Sequence, residues 1–216
     1  DAGDGATEGG PLDTDRDRVP DDRDPCPTLR NSVLYEEHFD PFDPATWLPG
    51  GTASWVAFDR QLFQLDVGSW AWLSSLAVWQ GDLIMQVDVG PIENALPPGG
   101  YSGLGAAAPA SGAVVVCAVR REDGALLLGT SALASGYVPS VTLVDMIAEY
   151  DPRRPLTLRL RITSATGEVL CSVAGTAAGG GPAVLPAGAD LSVLLHTYTQ
   201  SSGFDDLWVL DVPMGC

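Results

Sequence analysis

"PLTLRLRIT" (155–163) alternates without a break: Leu156, Leu158, Leu160 and Ile162 fall on one face, Thr157, Arg159, Arg161 and Thr163 on the other. A period of two is the signature of a half-buried strand, because successive side chains of an extended chain point to opposite sides. "DLIMQVDV" (82–89) repeats the pattern, with Leu83, Met85, Val87 and Val89 inward against Gln86 and Asp88. Further strands are predicted at 33–39, 54–58, 61–67, 71–78, 101–107, 113–120, 125–131, 168–174, 191–199 and 206–212. Turn chemistry separates them at "PGG" (98–100), "EDG" (122–124) and "SATG" (164–167).

A dozen strands with no long helical periods between them predict an all-β protein, an antiparallel two-sheet β-sandwich with an irregular acidic N-terminal segment. One short helix is placed within "VTLVDMIAEY" (141–150). Composition agrees: 216 residues, 45% hydrophobic, with 25 Gly and 17 Pro, suit one domain of short strands and many turns. The predicted boundaries are 1–28 for the acidic segment and 29–216 for the sandwich.

The formal charge is −17, and all eleven cations are arginine, which suggests a GC-rich bacterial gene. A surface this acidic repels phosphate backbones and anionic membranes, so nucleic acid is excluded as a partner and cations or neutral ligands remain. No stretch is long and apolar enough to span a bilayer. The chain begins at Asp1 without Met and holds an even number of cysteines. Both features predict a mature exported protein, extracellular or at the cell surface, with a lipid-anchored precursor (an outer-membrane lipoprotein) as one form of that expectation.

Four cysteines allow three pairings. Cys117 and Cys171 sit inside predicted strands, and Cys26 and Cys216 bracket the domain, so 117–171 and 26–216 is the expected connectivity. A bridge between the chain ends closes the longest loop and constrains the unfolded chain most. Free buried thiols are the alternative.

Residues 1–28 carry nine acids (Asp1, Asp4, Glu8, Asp13, Asp15, Asp17, Asp21, Asp22 and Asp24) against three Arg, with almost no large apolar side chains. Within "DTDRDRVPDDRDPCP" (13–27), Asp13, Asp15 and Asp17 occupy loop positions one, three and five, the Val19 carbonyl position seven, Asp21 position nine and Asp24 position twelve. Oxygens on alternate residues of a tight loop can converge on one Ca²⁺, which takes six to eight of them. The prolines on either side leave no room for flanking helices, so an EF-hand is excluded. The run Asp13-x-Asp15-x-Asp17-Arg18-x-x-Asp21-x-x-Asp24-Pro25-Cys26 resembles a single thrombospondin type 3 repeat. Arg18 stands in place of a turn glycine and Pro25 in place of asparagine. The resemblance implies calcium held by Asp13, Asp15, Asp17, Val19, Asp21 and Asp24; an acidic linker is the competing reading.

"LYEEHFDPFDPATWLPGGTASWVAFDRQLFQL" (34–65) resembles the opening of concanavalin A-like, laminin G-like jelly-roll domains of secreted bacterial proteins, and "SGFDDLWVLDV" (202–212) their closing strand. The resemblance spans about 33–213 and places Trp47, Trp55 and Trp208 in structural positions. It also raises laminarinase-type glucanase activity, whose paired carboxylates sit in Glu-x-Asp-x-x-Glu on one strand face. The nearest string here, "EYDPRR" (149–154), has Arg154 where the second glutamate belongs. No nucleophile elbow, zinc motif or phosphate loop is present. His38 and His196 are read as structural histidines, and Asp205 and Asp206 as shaping the last turn.

The expectation is therefore a non-catalytic recognition module. Trp70 and Trp72 share one side of a strand and Trp79 closes the next segment, a set suited to stacking on a sugar ring where the face is exposed; tryptophans that fill the sandwich core are the competing reading. Glycan is the first expected partner. A structural or adhesive surface protein whose calcium loop stiffens a spacer is the second reading, and a degenerate glycanase the third.

Overall fold

The computed structural model describes residues 12–17, 19–21, 24–51, 54–65, 70–90, 100–132, 141–174, 179–198 and 202–213. The strands are β1 (Ser32–Glu37), β2 (Trp47–Gly51), β3 (Trp55–Phe58), β4 (Gln61–Gln64), β5 (Trp70–Ser75), β6 (Leu83–Gly90), β7 (Tyr101–Ala108) and β8 (Ala113–Arg120). They continue with β9 (Ala125–Ala132), β10 (Val141–Val144), β11 (Leu156–Thr163), β12 (Glu168–Val173), β13 (Gly179–Val184), β14 (Ser192–Tyr198) and β15 (Ser202–Asp211). One turn of 3-10 helix, Pro44–Thr46, is capped by the Asp43 carboxylate, which accepts from the Ala45 N–H.

The strands form two antiparallel sheets. One runs β13-β12-β11-β6-β15-β4-β3, with β1 also on β15, and the other β10-β9-β8-β7-β14-β5-β2. The alternation in β11 decides how they stack. Leu158, Leu160 and Ile162 are fully buried and pair in register with Val87, Met85 and Leu83 of β6. Facing them from the other sheet are Leu73, Leu104, Val115, Cys117, Leu128, Val193 and Leu195 in the same core. Burying each such side chain contributes about 1.5–3 kcal/mol.

Cys117 of β8 and Cys171 of β12 are bonded across the two sheets, closing 54 residues of chain. Cys26 is also disulfide-bonded. Its expected partner, Cys216, lies outside the described residues.

Two predictions from sequence are corrected. Residues 141–144 are not helical: Val141, Thr142 and Val144 pair with β9 at the edge of the seven-stranded sheet, and a run of β-branched residues favours that pleated setting. Ile147 then turns into the core. Asp205 and Asp206 lie within β15, not in a turn; the register with β6 slips between Asp205 and Trp208, and Asp206 has φ 45°. This is a bulge. β2 and β13 escaped the sequence reading because each carries glycine and proline. Both are edge strands, where a missing N–H costs no ladder bond.

Replacing both Cys117 and Cys171 by alanine is expected to cost about 3 kcal/mol through the restored freedom of the unfolded chain. For a chain of this size that is a fall in Tm of about 10 °C. Thermal unfolding followed by near-UV circular dichroism checks it; an unchanged Tm would mean the bridge constrains nothing.

Candidate functional site

Two surfaces gather chemistry, one on the outer face of each sheet. The first is where the acidic segment docks. Val19 is fully buried and Cys26 nearly so, both packed on Ile84, Trp208 and Leu210 of the eight-stranded sheet, with Val33 and Val212 at the margin. Those sheet residues point outward because their neighbours fill the core. The acidic loop therefore lies on the sandwich itself, and Trp208 sits beneath the loop, outside the inter-sheet core.

Turn chemistry shapes the loop. The Asp17 carboxylate accepts from the Val19 N–H at 2.8 Å with one oxygen and from the Asn31 N–H at 2.8 Å with the other. Asp13 and Asp15 each accept from the Asp17 N–H at 3.2 Å. Asp24 Oδ1 accepts from the Cys26 N–H and from Asn31 Nδ2, both at 2.7 Å. Arg16 takes the left-handed conformation at φ 62°, with its carbonyl held by Arg30. Arg18, expected from sequence to bear that strain, lies outside the described residues.

Carboxylate oxygens of Asp13, Asp15 and Asp17 lie within 4.8 Å of one another. Asp15 Oδ2, Asp24 Oδ2 and Asn31 Oδ1 are buried and make no hydrogen bond. An oxygen removed from water without a donor is costly. Burial, then the Asp17, Asp13 and Asp21 charges, push the Asp15 carboxyl above the ordinary aspartate range. The Asp24 carboxyl is raised by burial and by Asp17 and Asp15, against the pull of Cys26 N–H and Asn31. Acceptors without donors and crowded negative charge are the conditions a cation relieves.

The structure places the six residues named from sequence in different settings. Asp13, Asp15 and Asp17 come together, and Asp24 stands outside that close group, linked to Asp17 through Asn31. Asp21 does not join them: its two oxygens accept from Thr14 N at 2.7 Å and Thr14 Oγ1 at 2.6 Å, so it closes the loop from within. Val19 enters through its side chain as an apolar plug. Asn31, beyond the twelve-residue loop, carried no spacing signal, yet it is the hub that bonds both Asp17 and Asp24.

The second surface is the outer face of the seven-stranded sheet. Register aligns Trp70, Tyr198, Tyr101 and Arg120 across β5, β14, β7 and β8 in one row. Trp72 and His196 stand opposite each other in the adjacent row. Tyr101 stacks on Tyr198 with ring centroids 5.1 Å apart and on His196 at 5.8 Å. Trp70, Trp72 and Tyr198 are half-buried, Tyr101 and His196 buried. Trp72 lies flat on β2 over Gly50, where an added Cβ would sit 1.9 Å from the indole, so only glycine admits the ring. At the far end the Arg120 guanidinium bonds Asp123 and holds its carboxyl below the usual range.

Trp79 is not part of this face. It bridges Leu191 and packs on Tyr35 with centroids 5.3 Å apart, beside the inter-sheet core. The strand that carries Trp70 and Trp72 ends at Ser75, and the segment that follows carries Trp79 away. Tyr198 and Tyr101 lie outside the tryptophan set, although the alternation Leu194, His196, Tyr198 signals a shared face. Among the six tryptophans, Trp47 is buried in the core, where Trp55 packs against Phe204.

His38 lies between two carboxylates, Nδ1 2.7 Å from Asp206 and Nε2 2.6 Å from Glu36, tying β15 to the end of β1. Asp205, Asp206 and His38 form a second close group. "EYDPRR" falls in the connection from β10 to β11, with Glu149 at φ 56°, so its acids do not share a strand face.

No protein-family model matches the chain, and no curated protein is significantly similar to it in sequence. Many solved structures share the fold. A Bacillus subtilis protein of unknown function with a galectin-like fold aligns at TM-score 0.61 and 16% identity, covering 82% of this chain and 94% of that one. The carbohydrate-binding module CBM66 from Bacillus subtilis aligns at 0.59 and 8%, over 76% and 94%. A prokaryotic β-1,3-1,4-glucanase (lichenase) derived from a mouse hindgut metagenome aligns at 0.55 and 13%, over 83% and 99%. The chain has the fold of a galectin-like, concanavalin A-like jelly roll. Among the described residues no helix is long and apolar enough to cross a membrane.

Burial drives the His196 imidazole down to about 3. The unfolded chain therefore takes a proton near the ordinary histidine value while the folded chain does not, and stability falls as pH drops from about 6.5 towards 3. The imidazole carbon-bound proton resonance of His196 is expected to stay at its neutral position at pH 5. Titration near pH 6.5 would show instead that the ring is solvated.

Proposed function

We propose that this protein is a non-catalytic glycan-binding module of the cell exterior whose acidic N-terminal loop is clasped to the sandwich by one calcium ion. The row Trp70–Tyr198–Tyr101–Arg120 carries the glycan reading. Ring faces offer the apolar side of a sugar a flat partner, and the Arg120–Asp123 pair supplies donors and acceptors for its hydroxyls. The fold shared with a carbohydrate-binding module supports it, while the fold shared with a lichenase keeps a degenerate glycanase as an outcome of the test. Support for the non-catalytic reading comes from "EYDPRR", whose acids lie off any strand and lack the second glutamate. Disulfide-bonded Cys26, Cys117 and Cys171 support an oxidising compartment.

Support for calcium comes from the orphan oxygens of Asp15, Asp24 and Asn31 beside the Asp13, Asp15 and Asp17 carboxylates. With Asp13, Asp17 and the Val19 carbonyl drawn in on binding, these would make up the six oxygens the ion takes. A structural or adhesive role is the second reading, favoured by the burial of Tyr101 and by the flat seat of Trp72 over Gly50, which hold part of the aromatic face closed.

A glycan array separates these. Binding reduced at least about tenfold in Trp70→Ala, with the fold intact, is expected for recognition. A silent array together with self-association in sedimentation marks the structural role, and cleavage of a β-glucan lost on a single carboxylate change marks the enzyme.

Calcium at about a hundred times its dissociation constant is expected to add about 2.7 kcal/mol, a rise in Tm of about 5–10 °C. Asp24→Ala and Asn31→Ala should abolish the rise. Equal melting in calcium and in chelator would end the clasp.

A further inference from the structure

Away from both surfaces, the corner after β1 and the β3–β4 hairpin wall a cavity of about 290 Å³. We propose that it is a second sugar site, seating a single neutral sugar ring; only the ligand class rests on the reading above.

Three observations converge there. The first is the balance of exposed and anchored aromatics. Phe39 is buried and packs on Phe42 and Trp47 with ring centroids 6.2 Å away in each case, forming a fixed floor. Phe58 is 73% exposed, higher than any other large hydrophobic side chain of the described residues, and stands at the cavity wall.

The second is backbone strain. Phe39, Asp59 and Arg60 have φ of 54°, 50° and 64°, three of the six left-handed non-glycine residues described. Phe58 pairs with Gln61, so Asp59-Arg60 is a two-residue turn with both φ positive. Such a turn is most easily made by Asn-Gly. An arginine in the glycine position is unfavourable for the turn, and strain of this kind gathers at working sites.

The third is unspent polarity. Asp40, Asp59 and Arg60 line the cavity and are exposed. Unlike Arg120 with Asp123, none of the three makes a side-chain ion pair among the described residues. Two carboxylates and one guanidinium disfavour an anion, the more so on a chain of charge −17, while Arg60 opposes a cation. A purely apolar ligand would strip water from three charged groups without replacing it. A ring with one apolar face and several hydroxyls meets all of these conditions: its C–H face lies on Phe58, and its hydroxyls donate to Asp40 and Asp59 and accept from Arg60. The cavity volume is at the lower end of small-molecule sites, about 300 Å³, as suits one ring. Since β3 and β4 edge the eight-stranded sheet, this site and the aromatic row belong to different sheets, and one glycan chain or two could engage both with gain in avidity.

The test uses the full chain labelled with ¹⁵N and the methyl glycosides of glucose, galactose, mannose and fructose, each at about 100 mM to reach weak millimolar binding. Amides of Phe39, Asp40, Phe42 and residues 57–60 are expected to shift with at least one glycoside. The shifts should be lost in Phe58→Ala and in Arg60→Gly but persist in Trp70→Ala. Arg60→Gly relieves the left-handed turn, so its Tm should rise while binding disappears, which separates loss of the site from loss of the fold. No shift at these amides with any of the four glycosides, or shifts retained in both corner variants, would overturn the proposal. A silent glycan array with corner shifts intact would dismiss the aromatic row and leave the corner standing.

Discussion

In a two-layered sandwich every strand residue that faces the core forces its neighbours outward, and the molecule must then do something with two outer faces. This is the constraint on which the rest of the structure depends. Leu158, Leu160 and Ile162 facing Leu104, Cys117 and Leu128 make the core; the same alternation pushes Ile84, Trp208 and Leu210 out of one sheet and Trp70, Tyr198 and Tyr101 out of the other. The first set is apolar and is covered by Val19 and Cys26. The second is aromatic with polar ends, a composition suited to partly apolar, hydroxyl-bearing partners.

Covering the eight-stranded sheet with so acidic a segment creates an electrostatic difficulty. The loop reaches the sheet through one valine and one cystine, and the burial of Val19, about 2 kcal/mol, draws Asp17 and Asp24 out of water with it. Asp17 finds two backbone N–H groups. Asp24 finds two donors for one oxygen and none for the other. Half-buried Arg159 lies near enough to Asp24 to feel its charge, yet it is bonded to Gln86. The remaining shortfall of donors is what a divalent ion would supply, and on this reading calcium joins the segment to the sandwich instead of stiffening a spacer.

How much of this was legible in the sequence follows from which physical signals are local. Period-two alternation is local, so β6 and β11 were legible nearly to the residue, β8 was legible as a short apolar run, and the 117–171 bridge was expected from two cysteines inside predicted strands. Edge strands obey weaker rules: "WLPGG" and the β13 segment pair on one side only, tolerate proline and glycine, and read as loops. The spacing of Asp13, Asp15 and Asp17 is local too and was legible. Asn31 and the withdrawal of Asp21 to Thr14 depend on how the loop folds back, which no spacing encodes. Trp79 shows the same limit. Its sequence neighbourhood suggests the aromatic platform, but the chain turns after Ser75 and carries it to Tyr35 instead.

The most direct measurement of the clasp is a crystal structure of the full chain grown in calcium, with anomalous scattering to identify the ion. One ion at about 2.3–2.6 Å from oxygens of Asp13, Asp15, Asp17, Asp24 and Asn31 and the Val19 carbonyl, with the Val19 side chain seated on Trp208, is the expected result. A loop lifted from the sheet, or the Asp15, Asp24 and Asn31 oxygens satisfied by water with no ion among them, would contradict it.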